Sequence, residues 1–240
     1  MTLKSHLLIA LASVALAAPL SATTVTTGQC AGPVAWGCVA ALDVFNISNP
    51  GTFLDGSTDS LSGLNAQGNV LYSGTLRTAV YRNIIGTLDF YYQFANSWSS
   101  PDSISRITMG SFAGFTTNIG YTNQNIDGYG NSDVNFRGTT AYTPLQAPLT
   151  GERVSDATLG FNFTPGPSGT KINPGETSSI LVIRTNATSF DIGSTSIING
   201  ATVNVATFAP TADSNVPEPA TYALMGAGLV TLGLFRRNRK

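Results

Sequence analysis

Asp127, Asn131 and Asp133 set oxygen-bearing side chains at intervals along the glycine-rich stretch Asp127-Gly128-Tyr129-Gly130-Asn131-Ser132-Asp133-Val134-Asn135. These are the ligand types that Ca²⁺ prefers. Tyr129 stands where an EF-hand loop needs its second oxygen and no closing glutamate follows, so the stretch reads first as a solvated hairpin loop and second as a weak Ca²⁺ site. No other cofactor is expected. Asp55 and Asp59, with the Ser and Thr of Leu54–Ser60, form a thinner oxygen cluster open to the same two readings. Cys30 and Cys38, the only cysteines, enclose a short Gly/Pro loop. In an oxidising compartment such a pair reads as one disulfide, because two thiolates without histidine leave a zinc site incomplete. The single histidine, His6, lies in the apolar N-terminal segment, so Ser-His-Asp and Cys-His chemistry have no base in the rest of the chain. Glycoside hydrolysis needs two carboxyl groups paired across a cleft, and the body offers only two glutamates, Glu152 and Glu176. No enzyme activity is expected.

Aromatic rings offer a different chemistry. Trp36, Tyr91, Trp98, Tyr121, Tyr129 and Tyr142 could stack on sugar faces, although core packing explains most of them. Trp98, in the polar loop Asn96-Ser97-Trp98-Ser99-Ser100-Pro101, is the candidate glycan contact, since a large ring among serines is either tucked under or kept for binding.

The most specific pattern combines three elements in order: Val216-Pro217-Glu218-Pro219-Ala220-Thr221, an apolar stretch to Phe235, and Arg236-Arg237-Asn238-Arg239-Lys240. The prolines hold the chain extended and present Glu218 between rigid neighbours. Ala220 to Phe235 is 16 residues. As a helix it would reach about 24 Å, short of a hydrocarbon core near 30 Å, so it spans only marginally and suits a transient inner-membrane anchor over 220–235. The cations that follow would stay on the cytoplasmic side.

This tail resembles the PEP-CTERM sorting signal of exopolysaccharide-producing Gram-negative bacteria. The resemblance implies that Pro217, Glu218 and Pro219 are recognition positions for a membrane-bound exosortase, which removes the tail and delivers the remainder to the cell surface or extracellular matrix. A C-terminal hydrophobic sorting helix is expected. The body, with its turn Asn173-Pro174-Gly175-Glu176 before the strand Ile180–Asn186 and its closing Phe208-Ala209-Pro210-Thr211, resembles the uncharacterised β-rich domains found upstream of such tails; that resemblance implies no activity.

The elements that must position these residues are strands. Lys4 followed by the apolar run Leu7–Ala18 and a small-residue ending at Ala22 has the layout of a secretory signal peptide, with cleavage expected after Ala22, or as the second choice after Ala17, and calls on the Sec machinery. The expected organisation is therefore 1–22 signal peptide, 23–215 exported domain and 216–240 sorting signal. Within the body, Gly68–Asn83 and Thr87–Phe94 alternate with period two and predict an antiparallel hairpin, with Leu88, Phe90, Tyr92 and Phe94 on one face. Further strands are expected around 104–109, 116–121, 134–137, 158–163, 179–185 and 201–208. No segment of the body carries a sustained 3.6-residue repeat. The predicted fold is all-β, an antiparallel β-sandwich of which a jelly roll is one form.

Composition fits that reading. The chain is 42% hydrophobic yet only 10% charged, against roughly 25% charged in an ordinary soluble domain. Residues 23–215 hold seven Lys/Arg and twelve Asp/Glu. A mildly acidic body has no basic face for phosphates, which argues against nucleic acid as a partner. The expected function is a structural or adhesive surface protein of the biofilm matrix, associated with exopolysaccharide. The alternative is a carbohydrate-binding module assisted by Ca²⁺.

Overall fold

The computed structural model describes residues 24–126, 134, 136, 145–163 and 171–212. In chain order the strands are β1 (Cys30–Ala31), β2 (Asp43–Val44), β3 (Thr52–Leu64), β4 (Val70–Arg82), β5 (Leu88–Asn96), β6 (Arg106–Met109) and β7 (Thr117–Thr122). They continue with β8 (Leu145–Gln146), β9 (Thr150–Arg153), β10 (Leu159–Asn162), β11 (Thr177–Ser178), β12 (Ile180–Thr185), β13 (Ser189–Asn199) and β14 (Ala201–Thr211). One six-stranded sheet runs β1-β9-β10-β6-β13-β14. The other has eight strands, in the order β2-β7-β12-β5-β11-β8, with β4 added beside β5 and β3 outside β4. Among the described residues, pairing between strands is antiparallel apart from two short parallel contacts, β2 with β7 and β8 with β11, and an isolated parallel bridge joins Ala31 to Ala40. The fold is thus an all-β curled sandwich. The expected sorting helix lies outside the described residues.

The hairpin predicted from alternation is β4–β5, with Leu76 opposite Phe94 and Val80 opposite Phe90. Leu88, Phe90, Tyr92 and Phe94 point together into the inter-sheet core, where they meet Ile107, Phe161 and Ile197 of the six-stranded sheet. Two tyrosines cross this core and stay satisfied: Tyr72 donates to the Ile197 carbonyl at 2.6 Å and Tyr92 to that of Phe208 at 2.6 Å. Burial raises both phenol pKa values.

The opposite face of the eight-stranded sheet is buried too. Ala79, Tyr81, Tyr91, Ile180 and Val182 form a second apolar cluster, covered by Phe45, Ile47, Ile126, Val134 and Phe136. Gly120 makes the close approach of this cover possible, because a Cβ there would stand 2.7 Å from the Phe45 ring. The central strands therefore lie in three layers, and β5 is buried at every residue.

Several expectations change. Leu54–Ser60, read as a loop-like oxygen cluster, lies within the long strand β3, where Asp55 opposes Val80 and Asp59 opposes Leu76. Its Ser/Gly/Asp content hid the strand, since those residues carry weak β propensity. Of the strand expected at 134–137, only Val134 and Phe136 are described, and neither is in a strand. β13, unpredicted, pairs with β14 along its whole length.

Cys30 and Cys38 form the expected disulfide, which closes a loop carrying Val34 and Trp36 at the surface. Chain-entropy arithmetic for a ring of this size gives about 2.6 kcal/mol. Replacing both cysteines by serine is expected to lower Tm by about 5–10 °C, and an unchanged melt under oxidising conditions would show that the loop gains nothing from the bond.

Candidate functional site

Among the described residues, two places of interest combine exposure with organised polar groups at opposite ends of β5. Asp89 and Asn96 mark the two ends, about 23 Å apart at roughly 3.3 Å per residue.

The first is built around Trp98, whose side chain is 87% exposed. The loop under it is fixed by its own backbone: Ser97 N–H donates to the Ser73 carbonyl, Ser100 N–H to the Ser97 carbonyl, and Gly175 N–H to the Asn96 carbonyl at 3.1 Å. Gly175 has φ +84° and no Cβ, and a Cβ there would come within 2.5 Å of the indole ring. One face of the ring consequently rests on the glycine backbone while the other is open. Glu176 closes the turn beneath by accepting from Asn173 N–H at 2.8 Å. Beside Ser97 runs a groove of about 390 Å³, lined by Ser60, Ser62, Ser73, Thr75 and Leu61.

The other predicted aromatics separate. Tyr91 is buried in the second core cluster and Tyr121 packs against the first, so neither is free to stack on a ligand. Trp36 is 41% exposed on the disulfide loop. Tyr129 and Tyr142 lie outside the described residues, as do Asp127, Asn131, Asp133, Pro217, Glu218 and Pro219. The two glutamates are in different surroundings, since Glu152 on β9 pairs with Arg106 of the six-stranded sheet. Among the described residues no group of three His, Cys, Asp or Glu side chains is placed to hold a metal.

The second place escaped the sequence reading. At the hairpin end, Asp89 on β5 lies opposite Arg184 on β12, which lies opposite Asn118 on β7. These three residues form one row on the outer face of the sheet and border a cavity of about 570 Å³. Asp89 is 3% exposed. Its carboxylate accepts from Asn83 Nδ2 at 2.9 Å and faces Arg184 Nε at 3.4 Å. The guanidinium also sits 4.3 Å from the centre of the Phe45 ring, a cation–π contact that fixes its plane. Asn83 ties the site to the turn: its Oδ1 accepts from the backbone N–H of Ile85 at 3.2 Å and of Thr87 at 3.1 Å. The tight turn leaves Ile84 and Ile85, 92% and 79% exposed, at the mouth. Desolvation outweighs the Asn83 hydrogen bond and the Arg184 charge, and the Asp89 pKa rises from 3.8 to about 6. Burial, reinforced by the Asp89 charge, also pushes the neighbouring Tyr91 phenol up.

Residues 215–240 match the family model described as the PEP-CTERM protein-sorting motif. No curated protein and no solved structure matches the chain. The motif marks an exported chain that is sorted at the membrane and processed by exosortase.

Proposed function

We propose that this exported, exosortase-sorted chain is a structural and adhesive component of the cell surface or extracellular matrix, associated with exopolysaccharide in a Gram-negative host. The proposed organisation is a signal peptide over 1–22, the exported sandwich over 23–215 and the sorting signal over 216–240, with residues 220–235 anchoring the intermediate in the inner membrane after Sec export. The observation that carries the adhesive reading is the Trp98 ring, held on Gly175 with its outer face open. Exposing a ring of this size forgoes its burial energy, and a rigid aromatic face matches the C–H face of a pyranose. The body is poor in charge, mildly acidic and rich in hydroxyls, which suits a hydrated polymer.

The serine-lined groove beside Ser97 favours a second reading, a carbohydrate-binding module that selects one glycan, with Ca²⁺ held at Asp127, Asn131 and Asp133. Fractionation of the host tests the first reading: the processed protein is expected to travel with exopolysaccharide, and its recovery wholly apart from the polymer would remove the matrix role. Retention of the purified protein on immobilised exopolysaccharide, with and without Ca²⁺, separates the two. Broad retention indifferent to Ca²⁺ supports adhesion, and saturable, glycan-selective, Ca²⁺-dependent retention supports the module.

In both cases Trp98→Ala should reduce retention at least tenfold. Gly175→Ala should act in the same direction, because its methyl group collides with the ring and the left-handed backbone costs a non-glycine residue about 1 kcal/mol. Full retention by both variants would place the contact elsewhere.

A further inference from the structure

The cavity at the hairpin end has the construction of a ligand site rather than of a packing defect. Packing defects in a β-sandwich are lined by hydrocarbon, whereas this one has a buried carboxylate and a guanidinium on its floor and Asn49, Asn118 and Asn186 around it. Its volume of about 570 Å³ falls in the usual range for small-ligand sites. Only the carboxylate of this pair is buried, the Arg184 side chain being 37% exposed, and a carboxylate desolvated beside open space with one part-exposed cation for company is poorly compensated by the protein alone.

The lining also restricts the chemistry of the occupant. Asp89 and Arg184 cancel in charge, so an anion would face the carboxylate and a cation the guanidinium. Among the described residues Asp89 Oδ1 accepts from Asn83 and Oδ2 only faces Arg184, which leaves lone pairs for further donors. Arg184 Nε faces Asp89 across 3.4 Å as an ion pair, and among the described residues it is buried without a hydrogen-bond partner. The amide oxygens of Asn49, Asn118 and Asn186 already accept from Gly51 N–H, Thr24 Oγ1 and Thr116 N–H, so these side chains offer chiefly their Nδ2 donors. The mouth adds an apolar wall from Ile84, Ile85 and Pro50. An uncharged molecule with adjacent hydroxyls on one side and C–H groups on the other satisfies all of these surfaces together. A lipid chain would leave the polar floor unpaired, and a nucleotide would meet a carboxylate where its phosphate must go.

We infer that the cavity bordered by Asp89, Arg184 and Asn118 is a binding site for a single neutral pyranose unit, with vicinal hydroxyls on Asp89 and Arg184 and the sugar's C–H face against Ile84 and Ile85. This assignment does not rest on Trp98, which lies at the far end of β5 and presents an open face rather than an enclosed space.

The test is isothermal titration of the full chain, purified in detergent, with methyl α-D-glucopyranoside, methyl α-D-galactopyranoside and methyl α-D-mannopyranoside, and with D-glucuronate as the charged comparison. At least one neutral glycoside is expected to bind saturably in the millimolar range or tighter. Arg184→Gln should weaken that binding at least tenfold. Ile84→Ser, at a side chain exposed enough to leave folding untouched, should weaken it several-fold, and Trp98→Ala should leave it unchanged. The assignment is overturned if no neutral glycoside binds saturably, if the Ile84 and Arg184 variants bind as the parent does, if Trp98→Ala abolishes the binding, or if glucuronate binds tenfold more tightly than every neutral glycoside. Loss of polymer retention in Trp98→Ala with glycoside binding intact would separate the two sites.

Discussion

A chain with alanine in place of Pro217, Glu218 and Pro219 is expected to accumulate unprocessed in the membrane fraction, with release to the surface reduced at least tenfold. The reason lies in how the tail divides its work. The apolar run Ala220–Phe235 and the cations after it are expected to hold the chain transiently at the bilayer whatever precedes them. The three motif residues are expected to contribute little to that anchoring and, with two prolines flanking Glu218, to be what the processing enzyme recognises. Alanine at all three restores helical propensity and removes the carboxylate, so membrane delivery persists while recognition is lost. Fractionation followed by detection of the body reads the outcome: retained, full-length protein is expected. A processed, released product from the triple variant would show that cleavage does not depend on these residues.

Asp89→Asn is expected to change the pH dependence of stability by about 3 kcal/mol. Asp89 titrates at about 6 in the fold against an ordinary 3.8, because burial outweighs its contacts with Asn83 and Arg184. Below about pH 3 the carboxyl is protonated in both folded and unfolded chains and costs nothing. As the pH rises from about 3 to about 6 the unfolded chain releases the proton and the folded chain holds it, so stability falls across that window. Above about pH 6 the loss is complete, at about 3 kcal/mol for an interval of this width. Asparagine keeps the shape of the side chain and has no proton to release. Relative to the parent, the variant should therefore gain about 3 kcal/mol of stability between pH 3 and pH 7.5, read by urea denaturation at each pH. An equal difference at both pH values would mean that Asp89 ionises as freely in the fold as in the unfolded chain. A group that makes the protein less stable at neutral pH, at the floor of a cavity, is the pattern expected where a ligand supplies the missing partners.

The hairpin β4–β5 was readable because alternation is a local property: Leu88, Phe90, Tyr92 and Phe94 fall on one face whatever the rest of the chain does. Tyr91 shows the limit of that reading. Its position on the other face was plain, but alternation alone suggests solvent there, and only the cover of Phe45, Ile126, Val134 and Phe136 turns that face into a second core. β3 was hidden for a related reason. Its serines, glycines and aspartates give no apolar stripe, and it becomes a strand because β4 offers it a free edge. Trp98 was found by sequence through its contrast with neighbouring serines. That it rests on Gly175, 77 positions away along the chain, had no local signal.

The amino-acid sequence by itself determined where this protein goes and what its body is made of. A sorting tail is read as a linear string, a disulfide between near neighbours needs little more than two cysteines and a short loop, and alternation names the strands. The tertiary structure alone decided which side chains meet. Asp89, Asn118 and Arg184 share a row because β5, β12 and β7 are neighbours in the sheet, although none is the next strand in the chain. Register between strands so far apart in sequence is fixed by the packing of both faces of the sheet. No residue near any one of the three carries that information.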